Sequence, residues 1–188
     1  MATEARRRIT EPAALEALAH PVRLDLINYL MSNGPATASA CARSVGDTPS
    51  NCSYHLRTLA KFGLVGEAVS SDGRERPWRA LVTGLAFGPA DPAAPMPEGA
   101  VRMLAVSVQR DQQLARDYLA RRDEVPPRWR AADGYATYTL RMTPRELTAL
   151  GEQIDALIRP YIAATREDAP SGSALVHMGV HGFLKDMP

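Results

Sequence analysis

The sequence predicts a mainly α-helical protein with a small β component, and three observations predict it. Apolar residues recur at helical spacing in residues 12–31, 49–62 and 100–124. Two short alternating runs, separated by Asp72-Gly73, follow the second of these segments directly and read as a hairpin. Four prolines, Pro89, Pro92, Pro95 and Pro97, then mark a linker or extended strap, which divides the chain into residues 1–88 and 89–188.

The first helix runs from about Pro12 to Met31, with a kink expected at His20-Pro21. Its core candidates are Leu15, Leu18, Val22, Ile27 and Leu30. "SNGPAT" breaks the pattern, after which Thr37 caps a short helix, Ala38 to Val45, closed by Gly46. Thr48 and Pro49 start a third helix that reaches Phe62 before Gly63. Helix, short turn, helix and hairpin in this order make a winged helix-turn-helix.

Beyond the prolines, 100–124 is a long helix with Val101, Leu104, Val108, Ala115 and Tyr118 near heptad spacing, and Asp111 interrupts that seam. "YATYTLRM" alternates and places Ala136, Tyr138, Leu140 and Met142 on one face of a strand. Thr143, Pro144 and Glu146 form a capping-box signature for a helix carrying Leu147, Leu150, Ile154, Leu157, Ile158 and Tyr161. "ALVHMGVHGF" reads as a last strand. The fold class is thus mainly α with small β: an N-terminal winged helix-turn-helix plus a C-terminal long helix and a small α/β layer over 135–183.

Composition narrows the function classes. At 45% hydrophobic and 23% charged the chain is ordinary globular protein. No apolar run approaches the ~18 residues of a membrane span. "MATEARRRITEP" is basic but no apolar stretch follows it, so no secretory signal is read and the cytoplasm is expected. Cys41 and Cys52 are too few for a disulfide framework. The net charge of +1 argues neither for nor against nucleic acid. No Gly-rich phosphate loop, metal-ligand cluster or nucleophile with a recognisable base occurs, so no enzyme, cofactor or metal is expected.

The third helix raises the functional question. At 100° per residue Cys52, Leu56 and Leu59 form one stripe, while Ser50, Tyr54, Arg57 and Lys61 fall within ~40° of the opposite direction. A face meant only for solvent more usually carries Glu and Lys. Ser, Asn, Tyr and Arg suit the edges of base pairs, and the major groove admits an α-helix.

Two segments carry a family resemblance. "ALAHPVRLDLINYL" and "SNCSYHLRTLAKFGLV" resemble the first helix and the recognition helix of ArsR-type winged-helix regulators, over residues 12–85. The resemblance implies a dimeric bacterial transcriptional regulator whose operator affinity responds to a signal. Metal-sensing members carry a paired-cysteine motif at the start of the recognition helix. Here one cysteine, Cys52, stands where the family usually has Val, and Cys41 replaces a core Leu, so the resemblance supports DNA binding and not metal sensing.

The DNA-contact candidates are Ser50, Asn51, Ser53, Tyr54 and Arg57, with Arg57 able to fork onto guanine and Asn51 onto adenine. Thr37 and Ser39 suit a phosphate at the start of the second helix. Arg74, Arg76 and Arg79 surround the hairpin tip, as a wing set against phosphate or the minor groove would. Arg6 to Arg8 form either a phosphate-touching arm or a frayed end. His55 flanks the core stripe and is read as packed.

Trp129, Tyr135, Tyr138 and Tyr161 could line an effector pocket, although plain packing explains them as well. His177 and His181, on a regular strand, are ~13 Å apart, too far for one metal ion without a bend. An intersubunit site is left open. The expected partners are double-stranded DNA, a second copy of the chain and a small-molecule effector, without a membrane. The reading is a homodimeric repressor on an inverted-repeat operator, with a winged-helix protein-interaction module as the alternative.

Overall fold

The structure is a computed structural model that describes residues 7–69, 76–87, 91 and 93–185. The chain forms two compact units: Met1–Arg110 with Ile162–Leu175, and Asp111–Tyr161 with Val176–Pro188.

The first unit begins with strand β1 (Arg7–Ile9) and helices α1 (Pro12–Leu18) and α2 (Pro21–Asn33). The single helix expected over 12–31 is therefore two helices. Pro21 supplies no N–H and disfavours a helical residue before it, and here it opens α2 at its first position. Arg23 bridges the break: its guanidinium donates to the carbonyl oxygens of Ala17 and Glu16, at the C-terminal end of α1. A cation at that end of a helix meets the negative end of its dipole.

Helices α3 (Ala38–Val45) and α4 (Pro49–Lys61) follow. Thr37 caps α3 through a bond from the Ala40 N–H, and Thr48 caps α4 through one from Asn51. Both caps fall where the sequence reading puts them. Gly46 and Gly63 end the two helices at φ of 70° and 63°, a backbone region costly for a residue with a Cβ.

Strands β2 (Val65–Glu67) and β3 (Trp78–Ala80) pair antiparallel, with Gly66 opposite Arg79. This is the expected hairpin. Its Asp72-Gly73 turn and Arg74 lie outside the described residues. Helices α2, α3 and α4 with this hairpin make a winged helix-turn-helix within the first unit.

Strand β4 (Leu85–Phe87) pairs in parallel with β1, placing Arg7 opposite Leu85. The sequence predicts only an arm or a frayed end for this stretch. Arg6 lies outside the described residues.

Leu15, Leu18, Leu26, Ile27, Leu30, Leu56 and Leu59 form the core of this unit, with Cys41, Cys52, Leu64 and Val65 among them. Helix α5 (Glu98–Ala120) adds Ala100 and Met103 to it. Arg102 of α5 pairs with Glu16 of α1 and with Glu98, and Arg110 Nε donates to Asp25 Oδ1 of α2 at 2.7 Å. The helix expected to reach residue 124 ends at Ala120, and a 3-10 turn, Arg122–Glu124, follows. Val101 and Val108, both heptad candidates, are exposed.

The second unit holds the last part of α5, α6 (Pro127–Arg130), α7 (Pro144–Ile158) and a 3-10 turn, Arg159–Tyr161. Helix α7 has the expected capping box: the Thr143 N–H donates to Glu146 Oε2 at 2.7 Å and Glu146 N–H to Thr143 Oγ1 at 3.3 Å. The two stretches read as strands, 135–142 and the run ending at Phe183, form no ladder among the described residues. None of the described residues of this unit is buried. No described helix is long and apolar enough to cross a membrane.

Candidate nucleic-acid interface

Helix α4 is divided sharply between its two sides. Cys52, Leu56 and Leu59 are fully buried, and His55 is 5% exposed. Ser50, Asn51, Tyr54, Arg57 and Lys61 are exposed and Ser53 is half-buried, so the polar side predicted by periodicity faces outward. Tyr54, a large aromatic residue, is 58% exposed. Among the described residues Arg57 has neither an ion pair nor a hydrogen bond, so its fork of donors is open to a ligand.

Asn51 is held differently. Its amide nitrogen donates to Asp47 Oδ2 at 2.6 Å, while Asp47 Oδ1 accepts the Thr48 N–H at 2.7 Å. These two bonds, the backbone one first, hold the Asp47 carboxyl below its ordinary range. A bidentate contact to adenine needs one N–H of the Asn51 amide as donor; Asp47 takes one of the two and fixes how the amide is turned. Sequence reasoning missed this tether, although Asp47 stands four residues before Asn51.

Beneath α4 the rings of His20 and His55 lie with centroids 4.6 Å apart, and Tyr54 meets His55 edge-on at 5.3 Å. Neither histidine's Nδ1 has a hydrogen-bond partner among the described residues. Burial pushes both imidazoles below their ordinary pKa; for His55 the neighbouring His20 is the next cause and Arg23 follows, while Arg23 is next for His20. His55 is packed, as its place beside the core stripe predicts. Its partner lies 35 positions away, beyond the reach of any local pattern.

The short helix and the wing are tied together. Ala36 and Trp78 exchange backbone bonds, Ala36 N–H to Trp78 O at 2.9 Å and Trp78 N–H to Ala36 O at 2.8 Å. Thr37 follows Ala36 and Arg79 follows Trp78, so this bridge sets a phosphate candidate and a wing arginine on one frame. Ser39, Arg76 and Arg79 are exposed. Thr37 spends its hydroxyl oxygen on the cap and is half-buried.

Residues 18–66 match the family model of a helix-turn-helix domain. The matched stretch takes in α2, α3, α4 and the first residues of β2, so it contains the whole candidate face of this helix-turn-helix segment. No curated protein matches the chain. Among solved structures the chain is similar to the homodimeric winged helix-turn-helix DNA-binding domain, fragment 1–100, of Mb0332 from Mycobacterium bovis, described as a possible ArsR-family transcriptional regulator. The two are 22% identical, with 54% of this chain and 79% of that chain covered and a TM-score of 0.36.

The second unit holds the remaining candidates. Tyr135, Tyr138 and Tyr161 are exposed and Trp129 is half-buried. A cavity of about 280 Å³ in this unit is lined instead by Tyr118, Arg121, Glu124, Val125 and Pro126. Beside it, Asp133 accepts bonds from Tyr118 Oη at 2.7 Å and from Arg122 Nε at 2.9 Å. These bonds, Arg122's first, hold the Asp133 carboxyl below its ordinary range.

His177 and His181 are not held apart as on a regular strand. Their Nε2 atoms lie 3.0 and 3.1 Å from Oδ1 and Oδ2 of Asp111. Each ring nitrogen is engaged by its own carboxylate oxygen, and among the described residues no group of three His, Cys, Asp or Glu is placed to hold a metal ion. Cys41 and Cys52 are buried free thiols, and burial pushes Cys41 up to about 11 and Cys52 also upward.

Proposed function

We propose that the protein is a sequence-specific DNA-binding transcriptional regulator, a repressor acting as a homodimer on an inverted-repeat operator. One observation carries this reading: a helix rooted by fully buried Cys52, Leu56 and Leu59 turns Ser50, Tyr54 and Arg57 outward, Arg57 without a partner among the described residues. Arg57 reads a guanine edge. Tyr54 packs on a thymine methyl or bonds a phosphate, and Ser50 and Ser53 contribute hydroxyls.

Asn51 gives one amide N–H to Asp47 and offers its second N–H and Oδ1 to an adenine edge. The amides and hydroxyls around Thr37 and Ser39 hold a phosphate. Arg76 and Arg79, with Arg74 of the hairpin tip, lie along the flanking backbone or minor groove.

A two-fold dimer presents two copies of α4, so its operator half-sites are separated by one helical turn, ~34–36 Å, or a multiple of it. The exposed side of α5 around Val101 and Val108, with α1, forms part of the contact between copies. Residues 1–88 are the DNA-binding domain and 89–188 the dimerisation and effector part. An effector that changes the spacing of the two α4 helices changes operator affinity.

Selection of genomic fragments by the purified protein, followed by titration of the recovered sequence at several salt concentrations, tests the proposal. The expected result is an inverted repeat bound with an affinity that falls steeply with salt, because phosphate contacts release counterions. Weak binding that ignores both sequence and salt would favour a winged helix used for protein contacts.

A further inference from the structure

Two extended stretches of the second unit, 135–142 and 176–184, make no backbone–backbone hydrogen bond to any described residue. Segment 176–184 is nevertheless fixed in place. His177 and His181 hold it to Asp111 of α5. A Cβ at Gly179 would stand 3.2 Å from Asp111 Oδ2, and one at Gly182 would stand 3.2 Å from Leu147 Cδ1 of α7. The segment therefore lies closely against both helices at these glycines, with its backbone edge unpaired.

Side chains alternate along an extended chain. Val176, Met178 and Val180, which alternate with the two histidines, are 68%, 68% and 53% exposed. Segment 135–142 displays its own alternating set, with Tyr138 at 76% and Leu140 at 58%.

We propose that a second copy of this chain covers both stretches by exchange, segment 135–142 of each protomer adding as a strand to segment 176–184 of the other. Strand addition to a free edge combines main-chain bonds with side-chain packing. The occupant is a second copy because each chain carries both halves of the contact, an anchored edge and a second extended stretch whose backbone bonds to no described residue. A two-fold axis pairs them twice and leaves neither over. A foreign strand on 176–184 would leave 135–142 bare.

The exposed area points the same way. At roughly 150–250 Å² for a whole aromatic residue, Tyr135, Tyr138 and Phe183 leave about 330–550 Å² accessible, spread over both faces of the two stretches. A stable interface takes about 800 Å² from each partner, so these three residues supply a large share of it. The exchange also gives this unit the burial that its described residues lack.

The inference deepens the homodimer of the proposed function and rests on it, but not on DNA contact. Its test is the molecular mass and amide hydrogen exchange of the full chain without DNA, for the wild type and for Leu140→Lys and Val180→Lys. The wild type is expected to be a dimer whose amides in 135–142 and 176–184 exchange at least about tenfold more slowly than after dilution to monomer. Each substitution is expected to raise the dimer Kd by at least about tenfold, with exchange in α3 and α4 unchanged.

A monomer, a dimer whose two stretches exchange freely, or protection that persists in a monomer would each overturn the exchange. If a variant unfolds, the wild-type exchange pattern decides alone. Because no DNA is present, failure here leaves the DNA reading standing, and failure to bind DNA leaves this one standing.

Discussion

The imidazoles of His20 and His55 face each other at 4.6 Å under α4, each with an Nδ1 that has no partner among the described residues. The contact joins the α1–α2 junction to the helix that carries the candidate reading face. It also couples that region to protons. Burial opposes a positive charge on both rings, and the neighbouring His20 opposes it further at His55.

The pH dependence follows from that depression. With folded pKa values below the ordinary 6.5, the unfolded chain takes up protons first as pH falls through 6.5. Stability is therefore full above pH 6.5 and declines below it, until the folded values are passed. Urea midpoints measured from pH 7.5 to 5 should fall on the acid side, and the His20→Asn/His55→Gln double variant should flatten that decline. An equally steep decline in the variant would place the coupling elsewhere.

The cap of α4 gives a second prediction. Thr48→Ala leaves the Asn51 N–H without its partner and should lower stability by about 1 kcal/mol, within a range of 0.5–2. Thr48→Ser should restore most of it. Chemical denaturation reads both, and an unchanged midpoint for the alanine variant would mean that Asp47 takes over the cap.

How much of this is legible in the sequence depends on distance along the chain. The α4 stripe, the Thr37, Thr48 and Thr143 caps and the glycine stops are set by neighbours within a turn, and periodicity or cap chemistry reads them directly. The break at His20-Pro21 is readable as a kink, but not as two helices, because Arg23 closing onto the end of α1 is a tertiary detail.

The β1–β4 pair is illegible: three-residue strands carry no usable alternation, and their partners lie 78 positions apart. The convergence of His177 and His181 on Asp111 escapes for the same reason. The regular-strand spacing of ~13 Å is the wrong geometry for a segment outside any ladder. Asp111, which in the sequence is only a flaw in the heptad seam, receives both rings.

The thiols provide a third prediction. Cys41, fully buried and with its pKa pushed up to about 11, has little thiolate at neutral pH. Alkylation at pH 8 should be slow in the native protein and complete in denaturant. Rapid native labelling would reopen a sensing role for Cys41 and Cys52.

The wing supplies a fourth. If Arg76 and Arg79 touch phosphate, replacing either with Ala should weaken binding to all sequences alike. The slope of log affinity against log salt should become shallower by about 0.9 for each phosphate that is no longer neutralised. A change in base preference without a change in slope would make them readers instead.

The most direct test of the central claim is a titration of selected operator DNA and a scrambled control with the wild type and Arg57→Ala. The substitution is expected to cost about 1–3 kcal/mol on the operator and to relax the preference at one base position. Equal affinity and equal preference for the two proteins would contradict the claim, because the open guanidinium on the outward side of α4 would then be reading nothing.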